Sequence, residues 1–509
     1  MRNKRILKNT LALYSRQVVI VLINLYALRV VLTSLGVEDF GIYTAVAGFV
    51  ALLSFLPGSM ASATQRFFAF AMGQQDAQKL RQTFSVNWLL YAAIAVIALL
   101  VLQTIGLWFV TNHLSIPDGR RLAALSAYHM VSLGFVTSIF TSPFIAILIA
   151  HEDMHLYALI SVVEAILKLG AAVLLAHVQG DMLELYGGFL LVAALITTTA
   201  YVAICLTKYV ECQFRRMYWN KSLFMEIIEF TGWTLFGQIS TVFRNQAVTV
   251  LINQLFNPAT VAARAIALTV ASQALVFSQH LNTGLYPPII KSYAANQQNE
   301  MFDLILNGSK LTFFLMWVFA LPLLIEMEAI LNLWLKTPPA EAVLFTRLAL
   351  VESLILSFSL PLATAARAPG KMKFYELTLG SVQLGIFVAS WLVIQAGYPA
   401  YSVFVVAIIA NLLMFQVRLL IVRKLIALPL SPYYLKVLLP LGIVSILSAS
   451  LALLLKQWTG DGLVGSAVVM AASMAAAATA MYFLGLDNAW RNKINVLVLS
   501  RVFRVEPRT

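Results

Sequence analysis

Charge is scarce in this chain, at 11% of its residues, and acid is scarcer than base: 22 Asp and Glu stand against 35 Lys and Arg. The chain is also 61% hydrophobic, with a mean hydropathy of +0.85. That combination excludes a soluble globular protein, because no soluble core hides so much apolar surface. Cysteine is nearly absent. Cys205 in an apolar run and Cys212 in a basic loop lack any ligand spacing, so neither a disulfide scaffold nor a metal site follows. HExxH, Walker, GxGxxG and GxSxG arrangements are missing, as are paired carboxylates in a cleft-sized loop. No cofactor is expected, and nothing in the chain points to an enzyme. Outer connections stay within about a dozen residues. A membrane glycosyltransferase, polymerase or ligase generally needs more extramembrane structure than that.

What is present is apolar runs of membrane-spanning length, about 20 residues each. Helices are the form such runs take in lipid. The reading is an all-α membrane protein of about fourteen transmembrane helices, comprising two parallel six-helix repeats and two C-terminal helices. Its expected parts are an N-terminal bundle over 1–208, an amphipathic linker over 209–226, and a C-terminal bundle over 227–425. Two extra helices over 435–485 and a basic interfacial tail over 487–509 complete it. Lys and Arg gather in alternate loops, which places both termini in the cytoplasm. The net charge of +13 then reports topology rather than nucleic-acid binding. Nothing demands more than a monomer.

The chain repeats itself. QVVIVLINLYALRVVLTSLGVEDFGIY, from Gln17, falls on QISTVFRNQAVTVLINQLFNPATVAAR, from Gln238, so that Asn24 meets Asn245 and the break at Gly36 meets Asn257. FFAFAMGQQDAQKL from Phe67 matches IIKSYAANQQNEMF from Ile289. FTSPFIAILIAHEDMHLYAL from Phe140 matches FSLPLATAARAPGKMKFYEL from Phe358, superposing Pro143 on Pro361 and Met154 on Met372. Ordered matches at nearly one offset indicate an internal duplication.

Several arginines fall where lipid is expected: Arg16 and Arg29 in the first helix, Arg244 in the seventh, Arg264 and Arg347 opening the eighth and tenth. Each costs roughly 2.5 to 3.5 kcal/mol near a helix centre unless it faces protein or water. Few acids accompany them, which suggests a wet cationic cavity. Thr234, Gln238, Thr241 and Asn245 recur at helical spacing on one face, and Gln17 and Asn24 share a face of the first helix. Amides and hydroxyls suit a sugar, and guanidinium forks suit phosphate. The structural alternatives are plain: Arg16 and Arg264 near helix ends can snorkel, Arg29 and Arg244 can cap neighbouring helices, and the polar stripe can glue helices together. Glu229, Glu352 and Asp39 are the acids to consider for ion coupling. Glu164 and Lys168, one turn apart, are expected to neutralise each other.

LTSLGVEDFGIYTAVAGF, from Leu32 to Phe49, resembles the first signature of the bacterial polysaccharide transporters, the Wzx-like O-antigen flippases. The paired segments PFIAILIAHEDMHLYA and PLATAARAPGKMKFYE are similar to that family's helix-loop-helix at the middle of each half. The resemblance implies the multidrug/oligosaccharidyl-lipid/polysaccharide exporter fold in the bacterial inner membrane. It also implies translocation of undecaprenyl-diphosphate-linked oligosaccharide by alternating access, in company with polymerase and assembly proteins. Family members line their cavity with cations, consistent with Arg29 and Arg244 here. The two extra helices resemble the lipid II flippase branch. A cation-coupled multidrug exporter on the same fold, and a membrane glycan polymerase or ligase, remain the alternatives.

Overall fold

The fold is that of a computed structural model, which describes residues 2–487 and Arg491, apart from Leu52, Ser115, Ala176, Arg215, Arg216, Lys336, Thr337, Gly460 and Asp461. The expected tail beyond 487 lies outside the described residues, Arg491 excepted. Among them the chain is mostly helical and forms no strand. The first half contains α1 (Arg2–Ala51), α2 (Phe55–Gly73), α3 (Ala77–Val101), α4 (Leu107–His113), α5 (Arg121–Ala150), α6 (Met154–Leu175) and α7 (Met182–Lys208). The second contains α8 (Lys221–Leu255), α9 (Pro258–Ala294), α10 (Gln298–Leu335), α11 (Ala342–Arg367), α12 (Lys373–Gln395) and α13 (Ser402–Ile426). The short α14 (Leu430–Tyr433) then leads to α15 (Leu439–Trp458) and α16 (Leu463–Ala480).

Twelve helices among the described residues are long and apolar enough to cross a membrane, or thirteen if the bent pair Glu38–Ala51 and Phe55–Gly73 is one span. The one expected span left over, the seventh, corresponds to α8 and falls short. It is 35 residues long, but Glu226, Glu229, Gln238, Arg244 and Asn245 dilute its apolar character. Its apolar residues Ile239, Phe243 and Val250 are exposed on one face. Thr234, Gln238, Thr241 and Asn245 take the other, where Ile227, Phe230, Val248 and Ile252 are buried. A helix polar on its packed side and apolar on its open side scores poorly for hydropathy while remaining compatible with lipid.

The duplication is written in the backbone. Gly36 breaks α1 at φ 74, and at the matching place the chain leaves α8 and starts α9 at Pro258. Gln75 and Asn296, one repeat apart, both take φ 57. Around them the amides of Asp76 and Gln297 donate to the equivalent carbonyls of Ala71 and Ser292, at 3.1 and 2.9 Å. Glu152 (φ 64) and Gly370 (φ 83) are likewise matched. Pro143 and Pro361 lie buried inside α5 and α11, and Met154 and Met372 are buried just beyond. Turn geometry, more than side-chain identity, is what the two copies share.

Two compact units result, and they do not follow the sequence halves. Unit 1 holds residues 1–239 with 283–298 and 367–380, and unit 2 holds 240–282, 299–366 and 381–509. The expected linker is not helical over its described residues from 209 to 220, and α8 takes over its remainder from Lys221. Phe214 packs edge-on against Trp88 with ring centres 5.3 Å apart, and the Tyr218 amide donates to Ser85 Oγ at 3.0 Å, so the linker is pinned to α3. In unit 2, α15 and α16 are tied along the length of α10. Trp317 Nε1 donates to Ser448 Oγ at 2.9 Å, Lys310 meets Asp487 at 3.0 Å, and Lys456 meets Glu326 at 2.8 Å. Gly485 is required in that packing, since a Cβ there would meet the Phe314 ring at 2.4 Å.

Candidate membrane-embedded binding site

In unit 1 the α1 helix presents Leu22, Tyr26 and Arg29 on one exposed face at i, i+4 and i+7. No acid pairs with Arg29 among the described residues; only its backbone carbonyl is engaged, by the Thr33 hydroxyl at 2.8 Å. Gln17 and Asn24 lie on a different face from Arg29, Gln17 half-buried and Asn24 exposed. Arg16 rests over the Tyr157 ring at 4.5 Å, with its Nε and Nη1 buried and without a hydrogen-bond partner. Arg16 is therefore packed against α6, not extended along lipid.

In unit 2 the cations are held differently. Arg244 Nη1 donates to Glu352 Oε1 at 3.1 Å and Nη2 to Asn245 Oδ1 at 2.9 Å. The Asn411 amide donates to the same Glu352 oxygen at 3.0 Å. Arg264 is buried beside them and donates to Thr249 Oγ1 at 2.5 Å, while its Nε has no partner. Glu352 is the one carboxylate hydrogen-bonded in this cluster among the described residues, so two guanidinium groups share one negative charge and a positive charge is left over. Buried charge of one sign without a partner is costly, which makes this a place for an anion. Gln238 is exposed, and Thr241 and Asn245 are half-buried on the packed side of α8. Arg347 does something else: its Nε and Nη2 take the carbonyls of Leu324 and Ile325, at 2.9 and 3.3 Å, where α10 bends after Pro322.

The three acids considered for coupling are placed apart. Asp39 accepts from Arg120 Nε at 2.7 Å, and the same guanidinium bridges to Asp181. Burial pushes the Asp181 carboxyl up, but Arg120 and the start of α7 outweigh it and hold it below the usual carboxylate range. That trio clamps α1, α5 and α7 together. Glu352 belongs to the arginine cluster, and Glu229 is exposed on α8.

Sequence reasoning missed two features. The first is a cavity of about 400 Å³ in unit 1, lined by hydroxyls of Thr137, Ser138, Thr198 and Tyr201 together with Glu164 and Lys168. The last two are paired at 2.7 Å and border the cavity while their side chains remain partly exposed. The second is Arg66, buried, with Nη2 donating to Ala368 O at 3.0 Å and its guanidinium 4.5 Å from the Phe67 ring centre. Gly370 lies over it; a Cβ there would stand 2.6 Å from Nη2. The run Ala368-Pro369-Gly370 facing Glu152 in the duplication was the available signal.

No family model matches this chain, and no curated protein matches it either. Solved structures do. A MATE transporter in the straight conformation superposes with a TM-score of 0.72 at 15% identity, over 84% of this chain and 96% of that one. An outward-facing multidrug resistance MATE transporter of the MOP superfamily gives 0.68 at 16% identity over the same shares. A MOP superfamily transporter from Pyrococcus furiosus, described as having a binding pocket of reversed polarity that suggests a different function, gives 0.63 at 17%. This chain has the MATE-type fold. It is a multi-pass membrane protein with about a dozen spans.

Proposed function

We propose that this chain moves an anionic, prenyl-diphosphate-linked oligosaccharide across the bacterial inner membrane by alternating access, as a flippase serving cell-surface polysaccharide export. The observation that carries the reading is surplus positive charge on long apolar helices: Arg29 exposed in unit 1 with no acid partner among the described residues, and in unit 2 Arg244 bonded to Glu352 with Arg264 buried beside them. Guanidinium forks bind phosphate oxygens bidentately, and a diphosphate supplies the missing negative charge. Amides and hydroxyls of Gln17, Asn24, Gln238, Thr241 and Asn245 are suited to the sugars. A fold relative with reversed pocket polarity and a suggested change of function is consistent with an anionic cargo.

The test is transport of a short prenyl-diphosphate oligosaccharide into proteoliposomes. Arg29→Ala should lower the initial rate at least about tenfold, the worth of one charge-assisted contact, with insertion and melting unchanged. An unaltered rate overturns the assignment. A cation-coupled multidrug exporter on the same fold is the second reading, and the fold comparison favours it as much. Its specific support is the Glu164 carboxylate bordering the hydroxyl-lined cavity of unit 1. Resistance to cationic drugs that is lost in Glu164→Gln and kept in Arg29→Ala would select it.

A further inference from the structure

Within unit 1 the two sequence halves exchange partners at the end where the basic loops gather, the inner end by the distribution of Lys and Arg. From the first half, Arg66 of α2 reaches the α11–α12 turn, where its Nη2 donates to Ala368 O at 3.0 Å beneath Gly370. From the second half, Lys291 of α9 reaches the α5–α6 turn, where its Nζ donates to Glu152 Oε1 at 2.7 Å. In the duplication α2 matches α9 and Glu152 matches Gly370. Phe67 over Ile289 sets Arg66 over Pro288, about one helical turn before Lys291. Each half thus holds the same turn of the other, with a cation from the same helix.

Between the two ties the matched helices touch. A Cβ on Gly73, the last residue of α2, would meet Lys291 O at 2.6 Å and Ala294 Cβ at 2.7 Å, so glycine is what allows the approach. Ala69, Ile290 and Ala368 are buried around it with Tyr286, whose hydroxyl donates to Ser62 O at 3.1 Å. Small side chains let backbones come close, and they leave faces that part without unlocking bulky groups.

The helices that bring the second-half partners change unit at this level. Residues 283–298, in α9 and the turn after it, and residues 367–380, from the end of α11 into α12, belong to unit 1; residues 240–282 and 299–366 belong to unit 2. Proline stands near each crossing, Pro287 and Pro288 in α9 and Pro361 in α11. A proline removes one helical hydrogen bond and lets the helix bend there. The turns themselves are fixed by left-handed backbone, at Glu152 (φ 64) and Gly370 (φ 83). Set turns on bendable helices suit a contact that opens as a unit.

We infer that Arg66 with Ala368 and Lys291 with Glu152 are the two arms of one reciprocal latch, which shuts the inner end and whose arms release together when the protein changes conformation. Both arms ride on the single α2–α9 contact at Gly73, so the loss of one loosens the other. Their chemistry differs: one arm is an ion pair, whereas the other sets a guanidinium on a backbone carbonyl. Only the ion pair can therefore be rebuilt with its charges exchanged. The latch does not depend on what the protein transports.

Hydrogen–deuterium exchange of the purified full chain, followed by mass spectrometry, tests this at the two held turns. Lys291→Ala should raise exchange about tenfold, the worth of one charge-assisted contact, at the α5–α6 turn and also at the α11–α12 turn, to which Lys291 makes no hydrogen bond among the described residues. Exchanging the pair, Glu152→Lys with Lys291→Glu, should return both turns to the exchange of the unaltered protein. Gly73→Val removes no charge and should open both turns by forcing α2 from α9. Arg66, which is buried, stays in place throughout, so the fold is not put at risk there. A rise confined to the α5–α6 turn in Lys291→Ala overturns the latch, as does an equal rise along the whole of α5 and α6. Failure of the exchanged pair to restore the α11–α12 turn, or protection of both turns in Gly73→Val, overturns it as well.

Discussion

The two copies of the duplicated helix pair differ in how they treat positive charge. In α1, Arg29 is exposed with no acid paired to it among the described residues; in α8, Arg244 is tied to Glu352 and Asn245, with Asn411 also donating to the carboxylate. Later turns of the two copies do share left-handed residues, Gln75 with Asn296 and Glu152 with Gly370, whereas the left-handed Gly36 of α1 has no left-handed counterpart at Asn257. The comparison teaches that one arginine is free to act on a ligand while the other first holds α8, α11 and α13 together.

The strongest way to break the comparison is to remove the tied arginine. Arg244→Ala removes the one guanidinium hydrogen-bonded to the buried Glu352, leaving it the Asn411 amide and the nearby charge of Arg264, and should cost about 3–5 kcal/mol, seen as a lower melting temperature in detergent. Replacing both partners, Arg244→Met with Glu352→Met, should recover part of that stability, since the hydrogen-bonded pair is removed together and Arg264 is the one charge left in the cluster. If the single change leaves the melting temperature unmoved, Arg244 is as free as Arg29 and the distinction fails.

The duplicated turn at Glu152 and Gly370 sharpens the point at the backbone. Gly370→Ala forces a side chain into φ 83 and against the Arg66 guanidinium, and should cost about 1–3 kcal/mol in thermal unfolding. Adding Arg66→Ala should recover the steric part and leave the conformational part.

Charge outside the membrane gives a smaller effect. Burial pushes the Asp153 carboxyl up, but the Tyr209 hydroxyl and Lys208, 2.9 Å away, outweigh it and leave it below the usual carboxylate range. Glu211 is held down in the same way by His151 against its burial. A carboxylate depressed in the folded state contributes stability above its unfolded value, near 4, and that contribution disappears as pH falls through the folded value. Tyr209→Phe should therefore shrink the loss of stability between neutral pH and about pH 3, measured as melting temperature against pH. The smallest expected effect separates Gln75 from Asn296, which share φ 57. Glycine should stabilise both by less than about 1 kcal/mol, and more at Gln75, because asparagine tolerates left-handed backbone better than glutamine.

Much of this was legible in the residues. Apolar run length dictated helices, since in lipid each backbone polar group needs a partner within its own segment. The repeat of Pro143 and Pro361, and of Met154 and Met372, marked a duplication that the turns then bore out. The expected span at α8 is not supported by its average hydropathy, because its polar face lowers it. Pairings between distant segments were hidden: Arg120 with Asp39 and Asp181, Arg66 with Ala368, and Lys456 with Glu326 join residues whose spacing carries no period.

By itself, then, the sequence determined the helices, their lengths, their amphipathic faces and the fact of duplication, all of which follow from local hydrogen bonding and the polarity of neighbouring residues. Only the tertiary structure decided which buried cation keeps a spare charge. That depends on whether a carboxylate a hundred residues away arrives within about 3 Å, the reach of a charged hydrogen bond.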